Sequence, residues 1–177
     1  MGLVAALNEM LLQSHVRGYV HLLPALPRAL SRRGSIVSLR ARGDVEVAIA
    51  WEHSRVLSTR LLFQSSHPWL RSAPDEAAAR NANATEPIPR QVTLLTPSPI
   101  ASRPHNNERS LVDCVRVTES NPLTLTDYSQ LPSDLYSGGA VFATKLTIGR
   151  FPCIVLLCGT EISHDECSNM AMKLKTD

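Results

Sequence analysis

An alternation of side chains with a period of two begins at Ile36, and it constrains the fold more than any other feature of this sequence. One alternating run ends before Gly43-Asp44 and a second runs on to Trp51, which is the pattern of two antiparallel strands joined by a tight turn. Glu52-His53-Ser54 then predicts a second turn, into a third strand over Arg55 to Phe63. The sequence therefore predicts a three-stranded meander, and its apolar face consists of Val45, Val47, Ile49 and Trp51.

Residues 65–110 contain many of the prolines and little periodicity beyond Val92 to Leu95. A structureless loop of this length is unusual inside a compact domain. We therefore interpret the segment as an irregular insertion or a disordered region, with room for a short helix at Pro74 to Arg80. The prolines are Pro68, Pro74, Pro87, Pro89, Pro97, Pro99 and Pro104.

The last third of the chain predicts further strands, with Gly138-Gly139 and Gly149 as turns. The expected fold class is mainly β, a β-sandwich-like domain preceded by one helix and interrupted by the long irregular insertion. The predicted strands are Leu111 to Val117, Leu123 to Leu125, Val141 to Ile148 and Cys153 to Leu157.

The N-terminal residues follow a helical period instead, which predicts an amphipathic helix over about residues 3–15 with Gly18 as its stop. Pro24 and Pro27 bracket an apolar connection, because each fixes its own φ and favours extended structure before it. The polar residues 31–35 predict a turn before the first strand of the meander.

The composition excludes several classes of protein. With 177 residues and 44% hydrophobic content, the chain is long enough for one domain with a core. A net charge of +2 is far too small to indicate nucleic-acid binding. The sequence contains no run of about 18 apolar residues, so it does not predict a membrane span.

The start, MGLVAALNEM, lacks a basic region and contains Glu9, so it predicts a helix and not a secretory signal.

Three segments occur in an informative order: EMLLQSH at Glu9 to His15, HLLPALP at His21 to Pro27 and LRARGDVEVAIAW at Leu39 to Trp51. This order closely resembles the C-terminal end of family 95 glycoside hydrolases, the α-L-fucosidase 2 type, over roughly residues 2–64. The resemblance implies that a last helix of an (α/α) barrel runs through a Leu-Pro-rich connection into a small β domain.

The resemblance and the periodicities together predict a division of the chain into five parts. Residues 1–18 would be the remnant of the last barrel helix, 19–35 a linker and 36–64 the meander. Residues 65–110 would be the insertion, and 111–177 would hold the further strands and a tail.

The family places an Asp-Gly-Asn-Phe-Gly-like stretch with an essential acidic residue immediately before the matching helix, and Met1 stands where its Phe would be. The resemblance therefore implies an inverting α-L-fucosidase for the intact parent, and a chain that begins just after the active-site aspartate. We expect this fragment to be inactive alone, with no catalytic, cofactor-binding or metal-binding residue. Its expected partner is a fucosylated glycan, reached only through the intact parent, and the exposed helix offers a route to self-association. Family members are often exported.

Two other classes of function stay open. The first is a stand-alone β-sandwich module that binds carbohydrate or another protein. The second is an enzyme of another kind, which would need a convergent nucleophile and base; the sequence shows no strong candidate pair.

The acids and histidines of the matching segments are better explained by structure than by catalysis. We expect Glu9 on the surface of the helix, and Asp44 and Glu46 on the outward face of a solvated strand edge. His15 and His21 flank the predicted helix end, where they would cap the last carbonyl groups or pack at an interface.

Cys153, Cys158, His164 and Cys167 supply four nitrogen and sulfur ligands, as a zinc site would. The spacing argues against zinc, because Cys153 and Cys158 point to opposite faces of one strand. We expect buried or reactive thiols for the four cysteines, which include Cys114, with a disulfide that involves Cys167 as the alternative.

The two tryptophans and one asparagine complete the set of candidates. Trp51 ends an apolar face and is expected in the core, whereas Trp69 lies in the irregular stretch and is the better candidate for stacking on a sugar. Asn83 begins an Asn-Ala-Thr acceptor for N-glycosylation, a pattern that also arises by chance.

Overall fold

The computed structural model describes residues 2–65, 67, 90–102, 114–118, 121–122, 141–163, 165–167 and 169. One helix precedes two β-sheets, and the mainly β fold class is confirmed. In chain order the elements are α1 (Gly2–Leu11), β1 (Leu12–Gln13), β2 (Tyr19–Leu22), a 3₁₀ helix (Arg28–Leu30), β3 (Arg33–Ala41), β4 (Val45–Glu52), β5 (Arg55–Phe63), β6 (Arg90–Thr96), β7 (Ile100–Ser102), β8 (Val115–Val117), β9 (Asn121–Pro122), β10 (Phe142–Ile148) and β11 (Cys153–Gly159).

The two sheets enclose one hydrophobic core that takes buried side chains from both, as in a β-sandwich. The first sheet has the order β1-β2-β6-β10-β8, and β9 also pairs with β10. The second sheet has the order β3-β4-β5-β11-β7. All neighbours are antiparallel except β2 and β6, which are parallel.

The predicted meander is confirmed as strands β3 to β5. Glu52 pairs with Arg55, so His53 and Ser54 form a two-residue turn with φ of 49° and 62°. Positive φ at both positions is the type I′ geometry that matches the twist of a hairpin. The predicted apolar face is fully buried, with exposed fractions of 0% for Val45, Val47 and Ile49 and 5% for Trp51.

A β-bulge interrupts the pairing of β4 with β5. Ala50 pairs with Ser58 and Trp51 pairs with Val56, so Leu57 is the extra residue. A bulge bends the strand and redirects its side chains. Val56 is thereby buried beside Trp51 in the core.

The N-terminal prediction needs correction at two points. The helix ends at Leu11 and not near residue 15, because Leu12–Gln13 pairs with β2 as an edge strand. Tyr19–Leu22, which the sequence analysis places in the connection, is a core strand whose Val20 and Leu22 are 0% exposed. Tertiary pairing overrides the weak local preferences of such short segments.

The interpretation of residues 65–110 as irregular is wrong for 90–102. Strand β6 lies in the middle of the first sheet, and β7 forms an edge of the second. Pro97 and Pro99 stand between these strands, where the chain passes from one sheet to the other. The prolines therefore mark a corner of the sandwich, since proline has no N–H group to donate to a sheet ladder.

The later strands agree with the prediction where the structure describes them. Strands β8, β10 and β11 lie within or overlap three of the predicted segments, whereas Leu123 to Leu125 is outside the described residues. No helix in the described part of the chain is long and apolar enough to cross a membrane. The division into five parts stays a prediction.

Candidate functional site

A cavity of about 210 Å³ opens at one end of the sandwich, where four separate segments converge. It is lined by the start of β5, the corner between β6 and β7, the first residue of β10 and the residues after β11. These segments are far apart in the sequence, so the cavity exists only in the folded sandwich.

Backbone and hydroxyl hydrogen bonds join the walls of the cavity. The Val56 N–H donates to Ser98 Oγ at 3.0 Å, and Ser98 is 7% exposed. The Thr160 N–H donates to the Pro99 carbonyl at 3.3 Å. A Cβ on Gly159 would lie 2.8 Å from the Val56 carbonyl oxygen, so only glycine allows the strands this close.

The segment after β11 has two further restraints. A disulfide joins Cys158 to Cys167 across a separation of nine residues, which enclose this segment. Ser163 donates to Glu166 Oε2 from its N–H at 3.2 Å and from its Oγ at 2.8 Å. These two hydrogen bonds lower the pKa of Glu166. The wall is therefore fixed before any ligand arrives.

An ion pair between Arg55 and Glu161 lies at the mouth of the cavity. The two side chains are 60% and 73% exposed, so the pair contributes little to stability. The guanidinium presents several N–H donors and the carboxylate presents acceptors, side by side. Val56, Phe142 and Ile162 add apolar surface to the lining.

This arrangement is suited to binding. Hydrolysis of a glycoside needs two carboxyl groups on either side of the scissile bond. Among the described residues that line the cavity, Glu161 is the one carboxylate, and Arg55 holds it in an ion pair. The lining offers a neutral set of donors and acceptors beside apolar side chains.

The predicted acids lie outside this cavity. Glu9 is exposed on α1, as expected. Asp44 lies in the turn after β3 and Glu46 on the outward face of β4, and Arg40 reaches them at 3.9 Å and 3.6 Å. The outward orientation is confirmed for Glu46, but the prediction is wrong for Asp44, which precedes the strand and has a φ of 62°. Strand β4 has a neighbour on each side, so Glu46 is not on a strand edge.

His21 does not cap the helix, because the helix ends ten residues before it. His21 lies in β2, is 2% exposed, and its Nδ1 has no hydrogen-bond partner among the described residues. Burial, with a smaller contribution from the nearby His15, lowers the pKa of His21 to about 4. His21 is therefore neutral in the folded protein at neutral pH.

The expectation of free thiols is also wrong. Cys114 is bonded to Cys153 and Cys158 to Cys167, so all four sulfurs are in disulfides. The odd separation in β11 places the two cysteines on opposite faces of the strand, as predicted. Cys153 lies in the core with Cys114, and Cys158, bonded to Cys167, is also 0% exposed. His164 is outside the described residues. Within the described part of the chain, no group of three or more His, Cys, Asp or Glu residues could hold a metal ion.

Trp51 is a core residue, as predicted, and its Nε1–H donates to the Leu30 carbonyl at 2.7 Å. Trp69 and Asn83 are outside the described residues, so stacking on a sugar and N-glycosylation stay predictions. Arg55, Ser98 and Glu161 were not predicted as site residues from the sequence. The one local signal was the Pro-Ser-Pro corner, whose prolines we interpreted as part of an insertion.

Residues 13–93 match the model of the glycoside hydrolase family 95 C-terminal domain. The matched segment runs from β1 into β6 and includes the whole meander. No curated protein gives a significant match to the chain. The family match supports the interpretation of this part of the chain as a C-terminal part of a glycoside hydrolase of family 95.

Proposed function

We propose that the chain is the C-terminal accessory β-sandwich of an α-L-fucosidase-like protein of family 95, and that it does not hydrolyse glycosides by itself. The match of residues 13–93 to the C-terminal domain of that family carries the proposal. The order of the three sequence segments that resemble the α-L-fucosidase 2 type supports the narrower assignment. The substrate of the intact parent would be a fucosyl glycoside, cleaved with inversion.

The pairing of strands supports an accessory domain larger than the matched segment. Strand β11 completes the second sheet against β5, and β10 completes the first against β6. Both strands lie beyond residue 93, yet their side chains belong to the same core as those of the meander. The accessory domain would therefore include the C-terminal strands as well.

The position of α1 supports a role beside a catalytic domain. Its Leu3 and Val4 are 76% and 66% exposed, whereas Leu11 at its end is buried against the sandwich. An apolar helix surface that its own domain leaves uncovered is suited to contact with a neighbouring domain. In the intact parent, this helix would pack in the barrel.

Two assays test the proposal. The purified chain, incubated with a fucosylated oligosaccharide, should release no more fucose than a buffer control. The chain should also restore activity when it is fused behind a family 95 catalytic domain whose own C-terminal domain has been removed. A fusion no more active than the truncated enzyme would contradict the accessory role, and fucose release by the chain alone would contradict its inactivity.

The cavity at the end of the sandwich favours a second candidate, a stand-alone module that binds carbohydrate. The ion pair of Arg55 and Glu161 and the apolar side chains of the lining are features of a binding site. In this case, the sandwich would bind its ligand without a catalytic domain.

A further inference from the structure

We propose that the cavity between the start of β5, the β6–β7 corner and the segment after β11 binds a single residue of a glycan. The place of this subsite follows from the geometry of the cavity. Its ligand class rests on the proposed function, since a domain of a glycoside hydrolase meets glycans.

The size of the cavity limits the ligand. Pockets for drug-sized molecules have volumes of about 300–1,000 Å³. The cavity here is smaller, at about 210 Å³, and the exposed side chains of Arg55 and Glu161 are part of its lining. One sugar ring would fill it, and the rest of an oligosaccharide would extend into solvent.

The polar groups match the hydroxyl groups of a sugar, which donate and accept hydrogen bonds. Arg55 supplies donors and Glu161 supplies acceptors at the mouth. Ser98 Oγ accepts from Val56, so its own proton remains to be donated. Two neighbouring hydroxyl groups would therefore find both kinds of partner along one rim.

The charges at the mouth favour a neutral ligand. The guanidinium of Arg55 and the carboxylate of Glu161 cancel, so neither an anion nor a cation gains from the site as a whole. A purely apolar ligand would cover the ion pair without replacing its lost hydration. A ligand with hydroxyl groups on one side and C–H groups on the other satisfies both surfaces, because Phe142 and Ile162 line the apolar side.

The site is also organised in advance. The hydrogen bond between Val56 and Ser98, the close approach at Gly159 and the Cys158–Cys167 disulfide hold three of its segments. A preorganised site loses little conformational entropy on binding. We therefore expect a small but specific affinity, with a dissociation constant on the order of 1 mM for one sugar ring.

The test is a titration of the ¹⁵N-labelled chain, followed by backbone amide shifts. The probes are methyl α-L-fucoside and methyl β-D-galactoside, with cyclohexanol as a ring of similar size that has one hydroxyl group. At least one glycoside should give saturable shifts at the amides of Val56, Thr160 and Glu161. Cyclohexanol should give none at these amides.

Variants assign the shifts to the rim. Arg55→Ala and Glu161→Gln should each weaken binding at least about tenfold, since the first removes the donors and the second replaces the charged acceptor by a neutral amide. Arg40→Ala is the matched control, because Arg40 is an equally exposed arginine in an ion pair elsewhere on the second sheet. It should leave the affinity unchanged.

Three results would overturn the subsite: no saturable shifts with either glycoside, equal binding of cyclohexanol, or unchanged affinity in both rim variants. The accessory role has a separate readout, the activity of the fusion with a catalytic domain. Sugar binding by a chain whose fusion is inactive would leave the subsite standing and remove the proposed function. An active fusion without sugar binding would remove the subsite and leave the proposed function standing.

Discussion

Trp51 on β4 lies directly opposite Gly34 on β3, and its indole ring occupies the space that a side chain at position 34 would need. A Cβ added to Gly34 would lie 2.3 Å from Cζ2 of the ring. The ring is held in this place by its hydrogen bond to the Leu30 carbonyl. The position of the buried Trp51 ring therefore requires a glycine at position 34.

Gly34→Ala should lower the free energy of unfolding by about 1–3 kcal/mol, the usual cost of overpacking. The ring would have to move and would strain its bond to Leu30. The measurement is the midpoint of urea unfolding. Gly149→Ala is the control, because the nearest atom to its new Cβ would be 3.9 Å away. Equal midpoints for the two variants would contradict the tight contact at Trp51.

His21 should make the protein less stable as the pH falls from about 6.5 to about 4. Its pKa is about 4 in the folded state, against an ordinary value of 6.5 in the unfolded chain. The unfolded state therefore takes up the proton first, and up to about 3 kcal/mol of stability is lost across this window.

The His21→Leu variant isolates this effect. It should unfold at a similar midpoint at pH 7 and should be more stable than the unaltered chain at pH 4. His53→Asn changes an exposed turn residue and should keep the acid sensitivity. Parallel pH profiles for His21→Leu and the unaltered chain would show that the fold does not lower the pKa of His21.

The N-terminal segment should tolerate a short deletion and not a longer one. Removal of residues 1–9 deletes mostly exposed side chains and should change the stability by less than about 1 kcal/mol. Removal of residues 1–17 also deletes Leu11 and Leu12, each 6% exposed, at about 1.5–3 kcal/mol per side chain. Thermal unfolding of the two shortened chains would measure the difference.

Self-association gives the same deletions a second readout. If the exposed Leu3 and Val4 drive association, the chain without residues 1–9 should sediment as a smaller species than the full chain at high concentration. Identical sedimentation of the two chains would exclude α1 as an interface.

The two disulfides should differ in their contribution to stability. The Cys114–Cys153 bond closes a separation of 39 residues, and the Cys158–Cys167 bond closes one of nine. The loop-entropy relation gives about 4 kcal/mol for the first and about 2–3 kcal/mol for the second. The alanine double variants of each pair, compared by urea unfolding, should show this order. The reverse order would mean that the Cys158–Cys167 disulfide restrains more of the chain than the loop that it closes.

The sequence by itself determined the meander and the faces of its strands. Alternation placed Val45 and Ile49 inward and Glu46 outward, and the turn residues marked both reversals, because neighbouring residues carry these signals. The same local reasoning predicted the orientation of Cys153 and Cys158 on opposite faces of β11. The family resemblance also came from the sequence, in three segments that the family match covers only in part.

Only the tertiary structure decided which distant residues meet. Strand β2 exists because Val20 and Leu22 fill the core, and its pairing partner β6 lies about 70 residues later by the numbering of Val20 and Leu94. Arg55 and Glu161 are 106 residues apart in the chain and face each other at the cavity. Pairing over such distances is set by the summed free energy of burial in one core, and a local period carries no information about it.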